Sequence, residues 1–221
     1  LEILNDQVGT SQHYTYIPQL NEVDWKATVA LSSRLGIAPA VWERSQRFPG
    51  GVIPAFFRDE IKNIYPANAV LSSAFEEELR RILVLFQKNG IDALALKGPL
   101  LGRFLYGDAA LRQTSADLDI AIHPGDLPAA ERILLEAGYI CRDGAAGSSS
   151  REHRLRVGRQ LVFERMGKSE GLFLIDLHVS MRPSNAGGLD DHIWERALPY
   201  TWNGMRILVL DPDDMVMFLA L

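Results

Sequence analysis

Between residues 72 and 137 the spacing of apolar residues changes four times, and that succession limits the folds open to the chain. Ser72 to Lys88 carries Leu79, Ile82, Leu83 and Phe86 on one helical stripe and stops at Asn89-Gly90. Asp92 to Lys97 is strand-sized, Asp-Ala-Leu-Ala-Leu-Lys, and runs into Gly98-Pro99, where a short helix to about Tyr106 is expected. Asp117 to Ile122 reads as a second strand, ended by His123-Pro124-Gly125. Leu127, Ala130, Ile133, Leu134 and Ala137 then form the stripe of another helix, closed by Gly138. Strands alternating with helices in this way predict an α/β architecture.

Further along, Tyr139 to Cys141 fits a brief edge strand, and the Gly, Ala and Ser of Gly144 to Ser150 predict a mobile loop. Strands are expected at about Leu161 to Arg165, Leu172 to Val179 and Arg206 to Leu210, with a last helix opened by Asp211-Pro212. Before residue 75, Pro18, Pro39, Pro49, Gly50, Gly51, Pro54 and Pro66 cut the chain into short helical pieces, one of them Val23 to Leu35. The expected fold is α/β (α+β): a mixed, twisted sheet with flanking helices and helical additions at both ends. Three segments are expected: a helical region over 1–75, a core over 76–182, and a C-terminal strand and helix over 183–221. The chain opens on Leu1 instead of Met and stops at Leu221 inside an apolar run, so both ends are expected to be cut from something longer.

Charge excludes one class of partner. A net charge of -5 does not provide the broad cationic surface that duplex nucleic acid demands. Cys141 is the only cysteine, which rules out an intramolecular disulfide and fits a reducing, cytoplasmic setting. No apolar run approaches the roughly 20 residues of a membrane span.

The strand Asp117-Leu-Asp-Ile-Ala-Ile122 carries the strongest chemical signal. Residues two apart on a strand share a face, so Asp117 and Asp119 stand side by side. Two adjacent carboxylates repel, and a divalent cation lets both ionise. With 28 acidic residues in 221, such pairs also arise by chance, but Asp is disfavoured in strands. A second signal is Lys97-Gly98-Pro99, where a strand meets a helix start: free N–H groups and the helix dipole favour phosphate there, beside the Lys97 charge. An ordinary turn with a solvated lysine would read the same. The third signal is Leu172-Phe-Leu-Ile-Asp-Leu-His-Val179, whose Asp176 and His178 share one face of an apolar strand. A structural Asp176-His178 contact or a metal-site carboxylate both account for that pattern. Glu164 and Glu170 are the competing choices for a third carboxylate. Arg112 has the fork geometry to reach a phosphate, or to pair with Asp108 or Asp117. The basic run Arg151, His153, Arg154, Arg156, Arg159 reads as a solvated, charge-rich hairpin. The four tryptophans are spaced for packing, not for stacking bases, and His13, His123 and His192 show no ligand-like spacing.

Lys97-Gly98, Leu105-Tyr106, Arg112, Asp117-Leu-Asp-Ile-Ala-Ile122, Gly138-Tyr139 and Asp176-Leu-His178 together resemble the uncharacterised nucleotidyltransferase family of the polymerase β-like nucleotidyltransferase superfamily, over about residues 75 to 182. The resemblance implies transfer of a nucleoside monophosphate from a nucleoside triphosphate to a hydroxyl-bearing acceptor. It implies two Mg²⁺ ions, with Mn²⁺ as an alternative, held by Asp117, Asp119 and Asp176 as metal-binding and catalytic residues. Lys97, Gly98, Arg112 and His178 would contact the nucleotide. The Lys97-Gly98 turn differs from the Gly-Gly or Gly-Ser turn common in that superfamily, which leaves phosphate recognition to backbone N–H groups and Lys97. His178, a poor match for hard Mg²⁺, is expected at the edge of the site. Two rival readings remain open at this point: a noncatalytic nucleotide- or partner-binding module with the same fold, and a metal-dependent phosphohydrolase.

Overall fold

The computed structural model describes residues 23–49, 51–115, 117–157, 160–167, 171–180 and 192–220. His13, Pro18, Gly50, Arg159 and Glu170, which figure in the sequence reading, lie outside them. The helices are α1 (Trp25–Arg34), α2 (Ala38–Ser45), α3 (Ala55–Ile61), α4 (Ile64–Lys88), α5 (Pro99–Tyr106), α6 (Leu127–Glu136), α7 (Ser149–Val157), α8 (Ile193–Arg196) and α9 (Pro212–Ala220). The strands are β1 (Ala93–Ala95), β2 (Asp117–Ile122), β3 (Ile140–Cys141), β4 (Gln160–Met166), β5 (Leu172–His178), β6 (Leu198–Trp202) and β7 (Met205–Val209).

The seven strands among the described residues form one mixed sheet in the order β3-β4-β5-β2-β1-β7-β6. At its centre β2 runs antiparallel to β1 and parallel to β5, while β4 returns antiparallel to β5. Strand alternation divides the side chains between two faces. Leu118, Ile120 and Ile122 of β2 join Phe173, Ile175 and Leu177 of β5 in the main core, beneath Phe75, Leu79, Ile82 and Phe86 of α4 and Ile133 and Leu134 of α6. Leu94, Leu96 and Ala121 belong to a smaller cluster on the other face with Ile193 and Leu210. Asp117, Asp119, Asp176 and His178 alternate with the main-core residues of β2 and β5 and so face away from α4. A third cluster, Ile53, Phe57 and Ile61 with Trp25 and Trp42 against it, holds α1, α2 and α3 together.

Helix α4 starts at Ile64, well before the expected Ser72, and so crosses the 75/76 division. Pro66 falls in its first turn, where the missing N–H costs no intrahelical bond, so the residue taken as a breaker is accommodated. The C-terminal segment contributes to the same sheet, since β7 pairs in parallel with β1. Between β6 and β7 the turn is Asn203-Gly204, both with positive φ, which is the two-residue hairpin geometry. The expected charge-rich hairpin after residue 150 is instead helix α7. Ser148 Oγ accepts from the Arg151 N–H at 3.3 Å as its cap, and Arg151 is buried against Glu131 through two hydrogen bonds of 2.6 Å. A paired, buried arginine stabilises the helical form over a solvated hairpin.

Candidate active site

The site is built where β1, β2 and β5 meet. The β1–β2 pairing continues one step beyond β1, with Leu96 N–H donating to Asp119 O at 3.0 Å. The next residues are Lys97 and Gly98. Gly98 has φ 75° and ψ −138° and leads directly into α5, with Pro99 in its first turn. A side chain is strained at that φ, which gives Gly98 a conformational reason at this corner. Leu100 and Leu101 follow in the first turn of α5, where N–H groups have no carbonyl partner inside the helix.

On β2 and β5 the register sets Asp119 directly beside Asp176. The Lys97 ammonium lies 3.0 Å from Asp119 Oδ2 and 3.6 Å from Asp117 Oδ2. His178 Nε2 lies 3.0 Å from Asp119 Oδ1, and since a carboxylate accepts, that nitrogen carries the hydrogen. Gln160 of β4 donates from Nε2 to Asp176 Oδ2 at 3.0 Å. One ligand atom each from Asp119, Asp176 and His178 lies within 4.8 Å of the other two. His178 thus touches a carboxylate of the cluster directly, and Phe218 of α9 packs edge-on against its ring.

Burial and charge shape this cluster. Asp119 is almost completely enclosed. Burial pushes the Asp176 carboxyl above its ordinary proton affinity, and the Asp119 charge adds to the shift. For Lys97, burial works against the charge, but Asp119 and then Asp117 and Asp176 outweigh it, so the ammonium is held more firmly than in water. Asp119 Oδ2 is buried, and the Lys97 ammonium stands 3.0 Å from it. A buried carboxylate adjoining a second one across the strands is an oxygen-rich donor set of the kind that suits a hard divalent cation.

Arg112 follows a 3₁₀ turn at Ala109–Leu111. Neither structural pairing expected for it is made. Asp108 accepts from Tyr65 Oη at 2.8 Å and from the Ala110 N–H at 2.9 Å, Asp117 faces Lys97, and Arg112 makes no ion pair among the described residues. Glu164 pairs with Arg142 at 3.2 Å. Of the basic run, Arg151 is taken by Glu131 and Arg154 by Asp143. Trp25 packs edge-on against Phe57, Trp202 is buried in the core, and Trp194 stacks on His123 at 3.9 Å. Two hollows lie elsewhere, one among α1, α2 and α3 beside Trp25, Val41 and Phe57, the other at Leu83, Gln87 and Met205. Neither gathers two carboxylates, so the chemistry of the molecule points to the β2–β5 face instead.

Asn68 had no sequence signal and anchors the approach to this face. Its Nδ2 donates to Ala110 O and Arg112 O, each at 2.7 Å, and its Oδ1 accepts from the Thr114 N–H at 2.8 Å. The side chain of one α4 residue therefore fixes the segment that delivers Asp117 to the sheet.

With this geometry in place, comparison with known proteins is decisive for the family. The chain matches the uncharacterised nucleotidyltransferase family over residues 21–221. It belongs to that family. Nucleotidyl transfer is accordingly its class of activity, with a nucleoside triphosphate and an acceptor as the two substrates. Among solved structures, the lincosamide antibiotic adenylyltransferase LnuA with lincomycin bound is similar at 16% identity and a TM-score of 0.45, covering 65% of this chain and 84% of that one. No curated protein sequence matches. No helix among the described residues is long and apolar enough to cross a membrane.

Proposed function

We propose that this chain transfers a nucleoside monophosphate from a nucleoside triphosphate to a hydroxyl-bearing acceptor, with Asp117, Asp119 and Asp176 as the catalytic carboxylates. The observation that carries the reading is the Asp119–Asp176 register across parallel β2 and β5, beside the Lys97-Gly98 turn. The three carboxylates would hold two Mg²⁺ ions, or Mn²⁺ in their place. Bound there, such ions neutralise phosphate charge and lower the pKa of the acceptor hydroxyl.

The protein's own groups supply the rest. Lys97, the Gly98 corner with the first N–H groups of α5, and Arg112 bind and orient the triphosphate. His178 holds Asp119 through Oδ1 and stands where the nucleotide or acceptor meets the carboxylates. Gln160 fixes the Asp176 carboxylate by its Oδ2. Residues 76–182 carry this chemistry in our reading, and the lone Cys141 thiol fits action in a reducing, cytoplasmic compartment.

Incubation with Mg²⁺ or Mn²⁺, a cell extract and each nucleoside triphosphate labelled at the α- or γ-phosphorus tests the reading. Label from the α position should enter an acceptor, the γ label should leave in pyrophosphate, and Asp119→Asn should abolish both. Release of γ label as inorganic phosphate without α transfer would establish a phosphohydrolase. Nucleotide binding without turnover in any extract would establish a binding module.

A further inference from the structure

One side chain stands where two ligands of the proposed reaction would both act. The Lys97 ammonium approaches Oδ2 of Asp117 and Oδ2 of Asp119, leaving Oδ1 of Asp119 to His178. Oδ2 of Asp119 is buried, and the Lys97 ammonium 3.0 Å away pairs with it as an opposite charge. A cation coordinated by those oxygens would meet an ammonium 3.0 Å from one of them, and the two positive charges repel while drawing on the same two carboxylates. Lys97 also immediately precedes the Gly98 corner and the start of α5, the part of the site suited to phosphate.

We infer that Lys97 is the built-in counter-ion of this site: a divalent cation must displace its ammonium from Asp117 and Asp119, and the displaced ammonium turns to the incoming triphosphate. This rests on the proposed function above and goes beyond it, because it makes metal and nucleotide binding mutually dependent through one residue. Lys97 lowers the affinity of the bare protein for metal and raises its affinity for nucleotide once metal is bound, and by linkage metal and nucleotide then strengthen each other's binding by the same factor.

The test is calorimetric titration of Mn²⁺, without nucleotide, into the wild type, Lys97→Met, Lys97→Arg and Asp119→Asn, each checked for folding by circular dichroism. Lys97→Met should bind Mn²⁺ about tenfold more tightly than the wild type, the scale of a competing opposite charge beside a carboxylate. Lys97→Arg, which keeps the charge, should stay near the wild type. On the unsubstituted protein, reductive methylation read by mass spectrometry should modify Lys97 several-fold faster once Mg²⁺ is added, which serves as the deciding readout if Lys97→Met does not fold. Equal or weaker Mn²⁺ binding by Lys97→Met, or Mg²⁺-independent methylation, overturns the inference. If Asp119→Asn abolishes Mn²⁺ binding while Lys97→Met leaves it unchanged, only this inference falls. If none of the proteins binds Mn²⁺, the proposed metal site falls with it.

Discussion

Replacing Asn68 by alanine removes three hydrogen bonds at once from a residue that is 5% exposed. At about 1 kcal/mol each the loss is about 3 kcal/mol, and the better helix propensity of alanine within α4 returns roughly 0.5 kcal/mol, leaving a net cost of about 2.5 kcal/mol. Asn68→Asp distinguishes this account from a simple packing effect. Aspartate keeps the acceptor for the Thr114 N–H and the volume of asparagine but presents a carboxylate oxygen to the carbonyls of Ala110 and Arg112, so it should cost about 1 to 2 kcal/mol more than alanine. Urea denaturation of both variants at unchanged m value measures the difference. Nucleotidyl transfer should also fall in the folded variants, since the released segment delivers Asp117. An alanine cost below about 1 kcal/mol, or an aspartate variant no worse than alanine, would refute the reasoning.

Glu78 accepts from Arg81 and Arg165 and from the Tyr139 hydroxyl. Glu78→Gln leaves those guanidinium groups without their carboxylate and should cost about 3 kcal/mol by denaturant titration. Burial raises the Glu78 proton affinity, but the bonds from Arg81, Arg165 and Tyr139 outweigh it and hold the carboxyl below the ordinary glutamate range. Its contribution is therefore complete above about pH 4.5 and is lost as pH falls through the lower folded-state value, and the substitution should flatten that acid limb of the stability curve. At Gly102 an added Cβ would lie 2.9 Å from both Cα and O of Ala109, so Gly102→Ala should lose about 1 to 3 kcal/mol and lower the melting temperature. Asp176→Asn keeps the shape and the Gln160 neighbour but removes a carboxylate charge, and should reduce metal-dependent transfer at least about a hundredfold with the fold intact by circular dichroism.

Local signals disclosed much of this protein. The helical stripe of α4, the apolar strands and the Gly98-Pro99 corner follow from periods and turn chemistry, and a period of two places Asp117 with Asp119, and Asp176 with His178, on single faces. Two misses were legible in principle. Asn203-Gly204 is the residue pair a two-residue hairpin requires, but Pro199 argues against a strand unless β6 lies at the sheet edge, as it does. Ser148 could be read as a helix cap, yet the small residues around it favour a loop until Arg151 finds Glu131 twenty positions earlier in the chain. The other misses depend on partners far apart in sequence. Nothing near Asn68 announces that it will bond carbonyls 42 and 44 residues away, and nothing near Glu78 foretells Arg165 at a separation of 87. The position of Lys97 over both aspartates, likewise, exists only once β1 and β2 pair.

The central claim is that the carboxylates of β2 and β5 are where metal and nucleotide meet. The most direct measurement is anomalous diffraction at the manganese edge from crystals grown with Mn²⁺ and a nucleoside triphosphate whose α–β bridge cannot be cleaved. Manganese should be coordinated by Asp119 and Asp176, with Asp117 beside it and the triphosphate along the Gly98 corner of α5. Manganese absent from these carboxylates, or a triphosphate seated on another face such as the hollow beside Trp25 and Phe57, would contradict it.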